Sequence, residues 1–192
     1  MTETPKFHII LASNSPRRRE LLAGLDIDFE VKIIHGISEG YPKGMPITDI
    51  PAYIAMEKAE PYKDSIREGD LVLTADTIVV VGQEVLGKPA DAAEARAMLG
   101  KISGKTHQVI TGVCMTTTEK QHRFTVSTNV TFKKLSANEI EYYVNQYKPY
   151  DKAGAYGIQE WIGYVGVERL EGSYFNVMGL PVQRIWEELK KM

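Results

Sequence analysis

A chain of 192 residues, 43% hydrophobic and 25% charged, is long enough to bury a sizeable core without disulfide or metal staples. Its 23 basic and 25 acidic residues give a net charge of −2, which argues against a nucleic-acid or membrane-surface protein, so any basic site must be local. The one cysteine, Cys114, excludes an internal disulfide and suits a reducing cytosol, and neither a membrane span nor a secretory signal is legible, so a cytoplasmic protein is expected.

"KFHIILA" (Lys6–Ala12) predicts a buried strand, and "PRRRELLAGL" a helix with Leu21, Leu22 and Leu25 on its apolar face. Ser15 suits the N-cap of that helix and Pro16 its first position. "FEVKII" (Phe29–Ile34) alternates as a strand, and the Gly- and Pro-rich stretch His35–Asp49 reads as a loop. "DIPAYIAMEKAEPYKDSI" predicts a helix capped by Thr48 or Asp49 and ended or kinked at Pro61.

"LVLTADTIVVV" (Leu71–Val81) is strand-like apart from its polar centre, and "VGQEVLG" turns and returns as a hairpin. Asp91 and Glu94 have capping-box spacing, as do Ser136 and Glu139. "THQVITGVCMTTT" and "HRFTVSTNVTFKKL" alternate on either side of a short polar turn, which predicts an antiparallel pair. "DKAGAYGIQEWIGYVGVERLEGSY" is glycine-rich and reads as partly strand, and "LPVQRIWEELKK" closes the chain as a helix. Helices alternating with strands, some antiparallel, predict an α/β protein with a mixed sheet.

Three arginines, Arg17, Arg18 and Arg19, occupy the first turn of the first helix, where the helix dipole disfavours cations. A polyanion above the turn reverses that argument. Backbone N–H groups, the hydroxyls of Ser13 and Ser15 and bidentate guanidinium groups together suit phosphate. A solvated basic face is the plain alternative, and at least one of the three is expected to be surface filler.

Asp76, in "ADT", lies inside an apolar run where aspartate is depleted and an unpaired charge is costly. It could bind a divalent metal or activate water; otherwise it caps a turn. Lys88 in "GKP" and Lys58 in "MEKAE" are candidate phosphate contacts, with exposed surface lysines as the alternative, and Glu39 is a candidate metal ligand or loop residue. "AGAYGIQE" combines small residues with Gln159, whose amide suits the edge of a base. "GKISGKT" is not a P-loop, because it has three residues between its glycines and runs helix–loop–strand. The four histidines, His8, His35, His107 and His122, lack zinc spacing, and Cys114 reads as an inert core thiol.

Taken in order, "SNSPRR", "EKA", "ADT", "GKP", "SGKTHQVITGV", "DKAGAYGIQ" and "GSYFNVMGLP" resemble the Maf family of nucleoside triphosphate pyrophosphatases over nearly the whole chain. The resemblance implies a single domain over residues 1–192, with an elongated mixed sheet, flanking helices and two lobes around a cleft. It implies hydrolysis of a nucleoside triphosphate to the monophosphate and pyrophosphate with a divalent metal, Mg2+ or Mn2+. Asp76 then matches the catalytic carboxylate, and Glu39 matches an acidic position near it that shares the metal. Ser13, Arg17, Arg18, Lys58 and Lys88 match phosphate-binding positions, and Arg17, Thr77 and Gln159 match positions tied to base choice.

"SPRR", "ADT" and "IQ" together resemble the branch that cleaves dTTP and UTP, with a role in sanitising nucleotide pools. The chain departs from the family at Asn14, at Ser38 beside Glu39 and at Glu160–Trp161, where glycine, an acidic pair and glycine are usual. The alternatives are a non-catalytic nucleotide-binding regulator of cell division, or a pyrophosphatase of the same family acting on another, modified nucleotide. The expected partner is a nucleoside triphosphate rather than nucleic acid or membrane, and a homodimer is compatible with the resemblance.

Overall fold

The structure is a computed structural model that describes residues 6–37 and 39–192. A seven-stranded mixed sheet runs in the order β2-β1-β3-β5-β6-β7, with β4 paired to β3. Its strands are β1 (His8–Leu11), β2 (Phe29–Val31), β3 (Asp70–Val81), β4 (Glu84–Leu86), β5 (Thr106–Thr116), β6 (Gln121–Phe132) and β7 (Val167–Glu171). β1 lies parallel to β2 and β3, whereas β3–β4 and β6–β7 are antiparallel. The helices are α1 (Pro16–Ala23), α2 (Ile50–Ala59), α3 (Ala92–Ile102), α4 (Ala137–Tyr147), α5 (Trp161–Gly166), α6 (Tyr174–Met178) and α7 (Val182–Leu189). None of the described helices is long and apolar enough to cross a membrane.

The chain clusters into two units, whose boundaries fall within β3, β5 and β6 and at the end of α6. The first comprises Met1–Asp76, Thr111–Val126 and Gly179–Met192; the second comprises Thr77–Ile110 and Ser127–Met178. In the first, Ile10 and Val72 pack with Tyr62, and Ala55 and Ala59 of α2 pack with Cys114 of β5. Burial raises the Cys114 thiol above its ordinary pKa, as suits an inert core residue. The second holds one larger core, a single cluster that includes Leu99 and Ile102 of α3, Tyr143 and Val144 of α4, Tyr156, Ile162 and Phe132 of β6.

Local chemistry accounts for most element ends. Ser15 caps α1 by accepting from the Arg18 N–H at 3.4 Å, with Pro16 following at the first position. α1 stops at Ala23, so Leu25 lies beyond the helix rather than on its face; Leu21 and Leu22 are the residues it buries. α4 has the full capping box, since Glu139 N–H donates to Ser136 Oγ at 3.2 Å and Ser136 N–H to Glu139 Oε2 at 2.8 Å. At α3 the reciprocal bond shifts by one residue: Asp91 Oδ1 accepts from Glu94 N–H, but Glu94 Oε2 accepts from Ala90 N–H.

Other expectations are corrected. Asp49, one of the two expected caps, does stand at the N-cap of α2, but it is already in the right-handed helical region and its side chain makes no capping bond. α2 ends at Ala59, and Glu60–Tyr62 continue as a 3-10 turn around Pro61. β1 and β2 are shorter than their apolar runs, and the stretch after Gln159 contains two short helices, α5 and α6, in addition to β7. β3 is continuous through Ala75–Asp76–Thr77, so the polar triplet is strand rather than turn. β5 and β6 are neighbours joined by a turn with Thr117 N–H on Lys120 O at 2.9 Å. At their far ends Thr106 Oγ1 meets Thr131 Oγ1 at 2.7 Å, the arrangement of an antiparallel hairpin.

Candidate active site

β3 carries Asp76 at the end of its segment in the first unit. Two residues earlier, fully buried Thr74 donates to Ala55 O of α2 at 2.6 Å. On β5, Gly112 fits closely against the start of the same helix: a Cβ there would lie 2.1 Å from Ala52 N and from the Pro51 carbonyl carbon. α2 is thereby held against β3 and β5 by a hydrogen bond at one point and a missing side chain at another.

This seating brings Lys58, in the last turn of α2, to Asp76. Lys58 Nζ lies 2.8 Å from Asp76 Oδ1 and 2.8 Å from Glu39 Oε1. Lys58 and Asp76 side chains are only 16% and 13% exposed, so the charges are poorly screened, whereas Glu39 is half-exposed at 50%. The two carboxylates thus face one cation position, which the Lys58 ammonium holds. Ser38, the residue before Glu39, lies outside the described residues. Among the described residues no group of three or more His, Cys, Asp or Glu side chains converges as a metal cage.

The arginines divide their work. Arg18 turns its guanidinium onto the backbone, Nε donating to Gly179 O and one Nη to Ala75 O, both at 2.8 Å. It therefore ties α1 to the residue before Asp76. Burial lowers the Arg18 pKa, while the negative charges of Asp76 and Glu39 oppose that shift and Arg17 adds to it. Arg17 is half-buried and Arg19 is exposed, so Arg19 is the surface residue of the three. Ser13 is buried, and its Oγ accepts from Ser15 N–H at 3.2 Å, which fixes the turn leading into α1. Asn14 is exposed beside it.

Thr77, Lys88 and Gln159 belong to the second unit. Exposed Lys88 follows Gly87, whose carbonyl accepts from Gly154 N–H at 3.0 Å. Gly154 has a positive φ of 70° and lies against Val79, two residues beyond Thr77, with a Cβ position 3.0 Å from the valine methyl groups. "GKP" and "DKAGAYGIQ" are therefore neighbours above the second half of β3. Gln159 Oε1 is buried without a hydrogen-bond partner.

Three further residues shape this segment. Lys152, buried at 9% exposure, reaches Asp151 Oδ1 at 2.8 Å and Glu160 Oε1 at 3.1 Å. Tyr143 accepts from Gly157 N–H at 3.0 Å and donates to Glu160 Oε2. Burial first, and then the Glu160 carboxylate, raise the Tyr143 pKa, so its hydroxyl stays protonated and available to donate. The sequence signal for Lys152 is a lysine amid small residues and that for Glu160 is its departure from the usual glycine; Tyr143 gives none. Thr74 could have been noticed as a hydroxyl inside an apolar run.

The fold, a continuous mixed sheet flanked by helices, has a counterpart among solved structures. The Staphylococcus aureus Ham1 protein matches with a TM-score of 0.55 at 13% identity, over 96% of this chain and 98% of that one. The family model of the Maf-like protein matches residues 8–192, and the chain belongs to that family. A dTTP/UTP pyrophosphatase of Phocaeicola vulgatus is 59% identical over 97% of both chains. A dTTP/UTP pyrophosphatase of Parabacteroides distasonis is 58% identical over 96% of both.

Proposed function

We propose that the chain hydrolyses dTTP and UTP to the nucleoside monophosphate and pyrophosphate. The observation that carries the reading is the Lys58 ammonium of α2, 2.8 Å from both Asp76 of the central strand β3 and Glu39 of the loop before α2. Such a cluster can serve phosphoryl chemistry, and the named activity of the relatives supplies the substrate. In the reaction a water oxygen adds to the α-phosphorus as the bond to the α–β bridging oxygen breaks. Asp76 orients the water and takes its proton, and pyrophosphate leaves.

Magnesium takes one or two protein carboxylates and completes its shell with water and substrate phosphate, so the donor set of Asp76 and Glu39 fits it, or manganese. When bound, such an ion would lower the pKa of water and neutralise phosphate charge. Lys58 would exchange a carboxylate partner for phosphate. Arg17, Lys88 and Ser13 would bind the phosphates, with Arg18 holding the turn beneath them. Thr77 and Gln159 would read the base. The buried, disulfide-free Cys114 and the small net charge support a cytoplasmic nucleotide-pool enzyme acting on free nucleotides rather than nucleic acid.

Incubation with dTTP or UTP and magnesium tests the reading. Pyrophosphate and monophosphate are the expected products. Orthophosphate and nucleoside diphosphate as primary products, or binding without turnover, would overturn it.

A further inference from the structure

Glu160 stands at the N-cap position of α5, yet its side chain makes no capping bond to that helix. It turns back instead. Its N–H donates to Gly157 O at 3.0 Å, closing the four-residue turn Gly157–Glu160. Gly157 N–H donates to the Tyr143 hydroxyl, which donates to Glu160 Oε2, and Lys152 Nζ holds Glu160 Oε1 at 3.1 Å. Both ends of the turn are therefore bound to the Tyr143 hydroxyl, the Glu160 carboxylate is held by Lys152 as well, and Gln159 lies between the two ends.

The packing is equally tight. A Cβ on Gly157 would lie 3.0 Å from Glu160 Cδ, 3.1 Å from Lys152 Cε and 3.2 Å from Gln159 Nε2. Three side chains thus close around one glycine. Within this frame Gln159 Oε1 is buried and lacks a protein partner. Such an acceptor is costly unless a ligand donates to it. The imide edge of uracil or thymine offers one N–H beside a carbonyl and matches the amide's acceptor and donor; cytosine presents an acceptor at the same ring position.

We propose that Glu160 is a positioning residue for base recognition. Through Lys152 and Tyr143 it fixes the Gly157–Glu160 turn and so holds the Gln159 amide toward the base. The inference rests on the pyrimidine-triphosphate reading above and extends it to a residue that touches no substrate. Truncation of Glu160 leaves the Lys152 ammonium without its second carboxylate and frees the turn to relax.

The test is a cycle of Glu160→Ala and Gln159→Ala, singly and together, with kcat and KM measured for dTTP and CTP. Glu160→Ala should raise the dTTP KM at least about fivefold and reduce the preference for dTTP over CTP by a similar factor, with a smaller change in kcat. In the Gln159→Ala background it should change the preference no further. Glu160→Gln keeps an acceptor for Tyr143 and should fall between; if Glu160→Ala does not fold, the same ratio in Glu160→Gln decides. Equal loss on both nucleotides, or effects that multiply with those of Gln159→Ala, would reduce Glu160 to a structural brace. A wild-type protein that cleaves neither dTTP nor UTP overturns the nucleotide reading and this role with it; an active wild type with an unchanged preference in the variants overturns this role alone.

Discussion

The Lys58 ammonium lies 2.8 Å from the Asp76 carboxylate, joining the last turn of α2 to the middle of β3. With Glu39 at the same distance, the lysine balances two acids at once. Substitutions here should separate chemistry from stability.

Asp76→Asn keeps the side-chain shape but cannot accept a proton from water. Lys58 retains Glu39, so the variant should fold, with a melting temperature within a few degrees of wild type. Pyrophosphate release should fall by about a hundredfold or more, the scale of losing a general base. An unfolded variant would make Asp76 a structural residue; a stable, active one would move the base elsewhere.

Glu39 bears on the metal. EDTA should abolish activity, and added magnesium should restore it. Glu39→Gln should raise the magnesium concentration for half-maximal rate about tenfold or more, since an amide is a weaker ligand for a hard cation. Titration of activity against free magnesium reads this directly, and an unchanged midpoint would remove Glu39 from the metal shell.

Arg17 and Arg18 are neighbours with separable tasks. Arg18→Ala deletes two charge-assisted bonds to backbone carbonyls and should cost about 2 kcal/mol of stability, seen in urea unfolding. Arg17→Ala should leave the unfolding midpoint nearly unchanged and lower kcat/KM about tenfold. Reversed results would exchange the two roles.

Stability should depend on the charge of His107. This imidazole is buried, its Nε2 is 2.6 Å from Tyr156 Oη, and burial lowers its pKa from 6.5 to about 4. Between those values the unfolded chain binds the proton and the folded chain does not, so stability falls as pH drops through that window and levels off below it. The full effect is about 3 kcal/mol. Denaturant unfolding at a series of pH values should show the slope, and His107→Phe should flatten it; an equal slope in the variant would assign the dependence to other groups.

Much of the site was legible locally. Asp76 stood out as a charge inside an apolar run, and Ser15, Ser136 and Glu139 declared their helix starts through spacing alone. What escaped notice depends on partners distant in sequence. The hold of Arg18 on the backbone cannot be read from the sequence, because its acceptors, Ala75 O and Gly179 O, lie 57 and 161 residues away. Glu160 stands out in the sequence only as a departure from the usual glycine, because its partner Tyr143 lies 17 residues earlier on another helix. α5 was hidden because glycines at 163 and 166 weaken helix propensity, and tertiary packing of fully buried Ile162 outweighs it.

The bare backbone of Gly112 gives this family member a point of fragility with no chemistry of its own. A single methyl group there would collide with the backbone of Pro51 and Ala52 at 2.1 Å and force α2 away from β5. Lys58 lies six residues along the same helix, about 9 Å by its rise per residue, so a displaced helix carries the ammonium with it. A Gly112→Ala change should therefore silence the site by moving Lys58, although every reacting side chain is still present in the sequence.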